Sequence, residues 1–284
     1  MDEQLREMAR PPWRGSRLRL DAIDQFWSLI AAVQFLTRLP TPRLVLHGEA
    51  DRHRILGQSA AYFPIVGAGI GAVTGLTILL TARVWPIAIA VLIGLVVEAL
   101  LTGAFHEDAV ADFCDAFGGG WTREDVLRIL KDSRVGSYGV LGLGLAVALR
   151  AASLGAIEPG RLLAAIVASA SLGRWVVLPA MWALPPVSDR ASLSRDVGQQ
   201  IPASRLVLGT AMAVPGCVGM ALTSPWPLAA AVVGILLLAT WLVRYVGRRV
   251  GGINGDSLGF LCYASQVIVL LAAAANTPVL GSVG

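Results

Sequence analysis

Long uninterrupted apolar runs organise this chain, with few alternating stretches. Seven runs with few or no charges fall at about 60–82, 86–105, 137–157, 161–184, 206–225, 227–244 and 258–276. Each is long enough, at 1.5 Å per helical residue, to cross roughly 30 Å of hydrocarbon. A buried α/β core would instead show short apolar runs separated by charged helix faces. The run over 26–37 ends at Arg38 and Pro40 after about a dozen residues, too few to span, and reads as an interfacial or re-entrant helix. The pattern predicts an all-α polytopic membrane protein, a bundle of about seven transmembrane helices. A basic N-terminal segment over 1–25 precedes a single integral-membrane domain over 26–284.

Composition agrees. Hydrophobic residues make up 55% and charged residues 15% of the 284 positions, too little charge to cover a soluble domain. The formal net charge of +4 could suggest nucleic acid, but its distribution gives a different reason. If the N-terminus is cytoplasmic, 19 of the 23 Lys and Arg fall in segments on that side, the bias expected of an inner-membrane protein. Nucleic acid is therefore not expected as a partner, and the bilayer is. No short apolar leader with a cleavage site follows Met1. Cys114, Cys217 and Cys262 are too scattered for a zinc site or a disulfide framework, and His47 and His53 read as surface residues.

Within the spans, Gly67, Gly71 and Gly75 recur every fourth residue, a flat stripe on which another helix can pack closely. Glu98 and Arg174 lie at similar depth in the second and fourth spans. Intramembrane charges are costly, so these two are expected to pair or to face a polar cavity. Arg150 lies nearer the opposite surface and is expected to snorkel.

Three polar constellations carry candidate chemistry, all on the basic side. The first runs from His106 through Asp108, Asp112 and Asp115 to Gly118-Gly119-Gly120. Spacings of i, i+4 and i+7 put the three carboxylates within an arc of roughly 60° on one helix face. They repel one another there, so helix stability gives no reason for the pattern. A divalent cation would remove the repulsion, and oxygen donors suit a hard ion such as Mg²⁺. The alternative is a solvated acidic loop. The direct continuation from an apolar span and the interleaved Val110, Phe113 and Phe117 favour the metal site.

The second constellation, Lys131-Asp132-Ser133-Arg134-Val135-Gly136-Ser137-Tyr138-Gly139, follows a short amphipathic helix opened by Thr122 and Asp125, a capping-box pattern. Lys131 and Arg134 can neutralise phosphate, and Gly136 and Gly139 let backbone N–H groups approach an anion. A basic cluster meeting anionic lipid explains the same residues equally well. The third, Gly251-Gly252-Ile253-Asn254-Gly255-Asp256-Ser257-Leu258-Gly259, is a turn entering the last span, with Asp256 either a helix N-cap or a further metal ligand.

In this order and separated by these spans, the three constellations resemble the adenosylcobinamide-GDP ribazoletransferase (cobalamin 5′-phosphate synthase) family. Gln34-Phe35-Leu36-Thr37-Arg38-Leu39-Pro40 and Phe63-Pro64-Ile65-Val66-Gly67 extend the likeness over about 28–276. Ala109 and Ala116 depart from the Gly usual in the family, and Gln266 stands where an acidic residue is common. The resemblance implies that 26–284 is a catalytic domain facing the cytoplasm. It would join adenosylcobinamide-GDP to α-ribazole or its 5′-phosphate with release of GMP. It also implies Mg²⁺ on Asp108, Asp112 and Asp115, with phosphate or substrate held by Lys131, Arg134, Gly136, Asn254, Asp256 and Arg174. The hydroxyl proton would pass to His106, Asp132 or a metal-free carboxylate, three candidates left unseparated. A homo-oligomer stays open.

Two other classes are weaker. A CDP-alcohol phosphotransferase needs D-x-x-D-G-x-x-A-R followed by G-x-x-x-D-x-x-x-D, which this chain lacks. A secondary transporter would place its polar groups near the midplane, commonly in repeated halves, whereas most here lie at one face.

Overall fold

The computed structural model describes residues 22–42, 55–187 and 201–275. His47, His53 and all but the end of the basic N-terminal segment lie outside them. Ten helices occupy the described residues: α1 (Ala22–Leu36), α2 (Ile55–Thr81), α3 (Ile87–Thr102), α4 (Phe105–Gly119), α5 (Arg123–Ile129), α6 (Ser137–Ala156), α7 (Pro159–Ala183), α8 (Ala203–Thr223), α9 (Pro225–Val250) and α10 (Gly255–Ala275). Six of them (α2 and α6–α10) are long and apolar enough to cross a membrane, and α3 with α4 makes a seventh, bent unit. Helix α1 is short and apolar, as expected of the 26–37 run.

Helix α7 is the hub, packed against α2, α8 and α10. The predicted glycine stripe seats α2 on it. A Cβ at Gly67 or Gly71 would collide with the backbone around Ala170 and Ile166, and one at Gly75 with Leu163. Small residues matter here because lipid offers no hydrophobic drive to bring helices together, so close van der Waals contact has to do it. The peripheral helices present Leu80, Leu100, Leu145, Leu222 and Leu237 outward, as a lipid solvent permits.

The second predicted span needs correction. Helix α3 has 16 residues, so it rises only about 24 Å. It then turns by 90° into α4. Gly103 (φ 71°) closes α3 in the left-handed conformation and Ala104 (φ 55°) follows in the same region. The left-handed region suits glycine, and an alanine there costs about 1–2 kcal/mol. The Ala104 N–H bonds Ala99 O at 2.8 Å, and the Arg38 N–H bonds Leu101 O at 2.7 Å, which ties the chain after α1 to the bend. The acidic helix therefore leaves the line of α3 at a right angle.

Three connections meet at one end of the bundle. Val187 N donates to Ile253 O and Ile253 N to Pro185 O, both at 2.9 Å. Arg249 donates to the Gly120 and Trp121 carbonyls, and Arg123 Nε to Val250 O at 3.2 Å. At the other end the turns are short, and Arg161 Nη1 reaches Ser224 Oγ at 3.4 Å. All three constellations thus belong to one end, as their charge pattern implied.

Candidate active site

The acidic residues arise as expected from one helix. Asp108 is exposed in the first turn of α4, while Asp112 and Asp115 are half-buried. Their other neighbours turn inward. Ala109 and Ala116, the departures from the family's glycines, are both buried. A Cβ at Gly259 of α10 would strike the Ala109 methyl. The two alanines therefore lie on the packing face of α4, away from the exposed Asp108, and Gly259 provides the room at position 109.

Asp115 shows what Gly136 and Gly139 are for. Its carboxylate accepts the Gly136 and Gly139 N–H groups, each at 2.7 Å. The anion met by these backbone donors is thus a side chain of the neighbouring helix. It satisfies orphan donors at the start of α6 and places a negative charge at the helix's positive end. Side chains at either glycine would overlap the carboxylate, so Asp115 and the two glycines form one joint between α4 and α6. Among the described residues no three His, Cys, Asp or Glu side chains converge closely enough to enclose a cation. The predicted Asp108–Asp112–Asp115 set is a face of one helix, and its third member also binds α6.

The basic loop holds a pair of its own. Arg134 Nε and Nη2 donate to the Asp132 carboxylate at 3.0 and 2.7 Å, and the Arg134 N–H adds a third bond at 3.1 Å. These hydrogen bonds hold the Asp132 acid down at about 2. A carboxylate stabilised in this way stays ionised at neutral pH, and its pair with Arg134 is lost only as pH falls through about 2. While paired it is a weak proton acceptor. Lys131 is exposed on the same loop. The loop's support matches the sequence reading. Thr122 Oγ1 accepts the Asp125 N–H at 3.1 Å and Asp125 returns to the Thr122 N–H at 3.4 Å, the reciprocal bonds of a capping box.

At the third constellation the cap is Asn254, not Asp256. Asn254 Oδ1 accepts the Ser257 N–H at 3.0 Å. Asp256 sits within the first turn of α10, where Asn254 Nδ2 donates to it at 3.4 Å. Its charge lies at the favourable end of the helix dipole.

Behind this surface lies a buried ionic cluster. The expectation for Arg150 fails, because it does not snorkel. The residue is 2% exposed, and its guanidinium bonds both Glu98 carboxylate oxygens, at 2.9 and 2.8 Å, over the Tyr263 ring at 5.2 Å. Arg174 lies 4.0 Å from Glu98, so the anticipated pair exists but is secondary. Gln266 Oε1 accepts from both guanidiniums, at 3.2 Å from Arg150 and 3.0 Å from Arg174. Glu107 lies 3.8 Å from Arg150. Two carboxylates thus balance two guanidiniums, and an acid in place of Gln266 would upset that balance. Sequence reasoning missed Arg150 and Gln266 as partners. The available signal was that both are hydrogen-bonding groups inside otherwise apolar spans.

Arg174 and His106 also line a cavity whose walls include Phe35, Phe63, Phe105, Gly255 and Gly259. The structure therefore brings His106 and Arg174 together beside the first turns of α4 and α10. Lys131, Asp132 and Arg134 belong to the exposed loop before α6.

Fold and site define a polytopic all-α membrane protein with oxygen donors and basic groups gathered at one end, over a buried ionic cluster. The chain belongs to the cobalamin-5-phosphate synthase family, whose profile matches residues 28–274. It is 36% identical over 249 residues to the adenosylcobinamide-GDP ribazoletransferase of Leptothrix cholodnii, covering 85% of this chain and 91% of that one. It is 38% identical over 266 residues to the enzyme of the same name from Ralstonia pickettii, covering 89% and 96%. No solved structure matches the chain.

Proposed function

We propose that the protein transfers the cobinamide phosphoryl group of adenosylcobinamide-GDP to α-ribazole or its 5′-phosphate, releasing GMP. The observation that carries this reading is the joint placement, at one end, of the Asp108–Asp115 face, the Lys131–Arg134 loop and the Asn254–Asp256 turn within a chain of this family. Phosphoryl transfer requires positioning and charge neutralisation more than covalent chemistry. A ribose hydroxyl attacks the phosphorus bound to cobinamide, and the bond from that phosphorus to the GMP oxygen breaks.

The donors suit Mg²⁺. One exposed and two half-buried carboxylates that do not close a cage match an ion that keeps waters and takes one or two carboxylates plus substrate phosphate. Asp108 and Asp112 would hold it, with a remaining lone pair of Asp115, whose carboxylate has sites beyond the two N–H bonds it accepts. When bound, the ion supplies charge neutralisation for the diphosphate and the departing GMP. Lys131 and Arg134 hold phosphate oxygens. Arg134 must exchange Asp132 for phosphate, and the exposed setting of that pair makes the exchange cheap. The exchange frees Asp132 beside the reacting groups, where it joins His106 as a candidate for the hydroxyl proton.

Arg134→Lys tests the clamp. An ammonium cannot make two parallel N–H···O bonds. kcat/KM for adenosylcobinamide-GDP is expected to fall by about one to two powers of ten, in neutral and in anionic lipid alike. Full kcat/KM in both lipids, or a defect confined to anionic lipid, would make the loop a membrane contact instead.

The same reading places residues 26–284 in the cell inner membrane as one catalytic unit with this end in the cytoplasm, because 19 of the 23 basic residues fall on that side. A topology reporter fused after Gly120 or after Asp256 is expected to read cytoplasmic, and one after Pro159 periplasmic. A periplasmic signal at Gly120 would reverse the orientation.

A further inference from the structure

Apart from His106, the lining of the cavity at the α3–α4 bend has no part in the phosphoryl chemistry above. The enclosed part of the cavity is small, and a volume of about 480 Å³ is reached only by counting the open mouth. Its walls are mainly apolar and partly aromatic. The Phe35 and Phe63 rings lie parallel at 5.4 Å between centroids, and Phe105 meets Phe35 edge-on at 5.3 Å. Val177 and Met181 of α7 continue the wall.

Against these walls stands Arg174, 1% exposed. Its Nη1 is held by Ala170 O and Gln266 Oε1 and its Nη2 meets Glu98 only at 4.0 Å, so that neither Nη2 nor Nε has a hydrogen-bond partner. A buried guanidinium with unmet donors costs free energy until an acceptor arrives. The cavity therefore fits a flat, largely apolar molecule with at least one acceptor atom. Its lining also leads toward the proposed chemistry, since His106 is two residues from Asp108, and Gly255 lies between Asn254 and Asp256.

Resting on the function proposed above, we infer that this cavity is the subsite for the benzimidazole-type base of the acceptor nucleoside, with Arg174 donating to the free ring nitrogen. The other parts of the two substrates fit less well. A corrin macrocycle exceeds the volume. Guanine carries hydrogen-bonding groups on most of its edges, and phenylalanine walls would leave them unmet. A lipid acyl chain would suit the walls but offers Arg174 no acceptor. A fused bicycle with one unsubstituted ring nitrogen stacks on phenylalanine and satisfies the guanidinium. Phe35, Phe63, Val177 and Met181 would then set which base is accepted, without touching the phosphorus.

The full-length protein in lipid nanodiscs permits two measurements. α-Ribazole binding is measured directly by the fluorescence of its base with no corrinoid present, and steady-state kinetics are run with each substrate varied in turn. Val177→Phe, which fills the cavity, is expected to raise both the Kd and the KM for α-ribazole about ten-fold or more while leaving the KM for adenosylcobinamide-GDP within about two-fold. Val177→Ala, a milder change that guards against misfolding, is expected to shift preference toward the riboside of a bulkier fused base. The subsite is wrong if α-ribazole does not bind the unaltered protein. It is also wrong if Val177→Phe affects only the corrinoid substrate, or if Val177→Ala leaves base preference unchanged. Binding that responds to Val177 without any GMP release would uphold the subsite and overturn the functional reading instead. Turnover that is indifferent to Val177 would do the reverse.

Discussion

Asp108→Asn is expected to abolish most turnover while leaving the protein folded and inserted. Asp108 is exposed in the first turn of α4, so the substitution removes a charge without opening a cavity. Removing one group that stabilises developing charge in a transition state typically costs about two to three powers of ten in kcat. Asp112→Asn should behave alike. Asp115→Asn should be worse in a different way, because Asp115 also accepts the Gly136 and Gly139 N–H groups. An amide can accept only one of them well and would turn its own N–H₂ toward the other. That variant should lose activity and also loosen α6, seen as faster proteolysis within 130–137. The measurement is kcat at limiting and saturating Mg²⁺, with insertion checked in parallel. Asp108→Asn and Asp112→Asn should need more Mg²⁺ as well as turning over more slowly. Unchanged rates for all three at limiting Mg²⁺ would remove the metal from this face.

The largest stability effect should come from Arg150. Arg150→Met leaves Glu98, 3% exposed, without both Arg150 bonds and, among the described residues, with Thr74 at 2.9 Å and the more distant Arg174 as partners. Breaking a buried ion pair from one side typically costs about 3–5 kcal/mol, because the orphaned charge remains. Removing both charges in Glu98→Leu/Arg150→Met should recover much of that loss, since neither then has to be desolvated. Denaturant unfolding in detergent should therefore rank wild type and the double variant above Arg150→Met. Equal stability of the single and double variants would mean that the pair is not coupled. The double variant should still lose activity, because Gln266 Oε1 would keep only the Arg174 donor and the cavity wall would shift.

Legibility in the sequence followed physical range. Seven apolar runs were visible because hydrocarbon thickness sets a length that any spanning helix must meet. The Gly67–Gly71–Gly75 stripe and the Thr122–Asp125 box were visible because each works between neighbours in one helix or turn. Other features depend on elements far apart in the chain. The bend after Thr102 needs a left-handed alanine, which residue type does not advertise. Arg150 looked like a snorkelling residue because its depth along the chain says nothing of Glu98, 52 positions away, and its pairing with Glu98 emerges only when α3 meets α6. Gly136 and Gly139 were read as backbone donors to a phosphate, and the anion their N–H groups meet is Asp115. Which anion depends on α4 lying beside α6. Asn254 took the capping role that Asp256 could equally have filled, a local choice between two good caps that spacing alone does not decide.

The most direct test of the whole account is GMP release. Membranes containing the protein are incubated with adenosylcobinamide-GDP, α-ribazole 5′-phosphate and Mg²⁺, and GMP and corrinoid products are followed together. The account predicts GMP and a cobamide 5′-phosphate in equal amounts, dependent on added Mg²⁺ and absent with Asp108→Asn membranes. GMP release without α-ribazole 5′-phosphate, or no reaction with both substrates and the metal present, would contradict it.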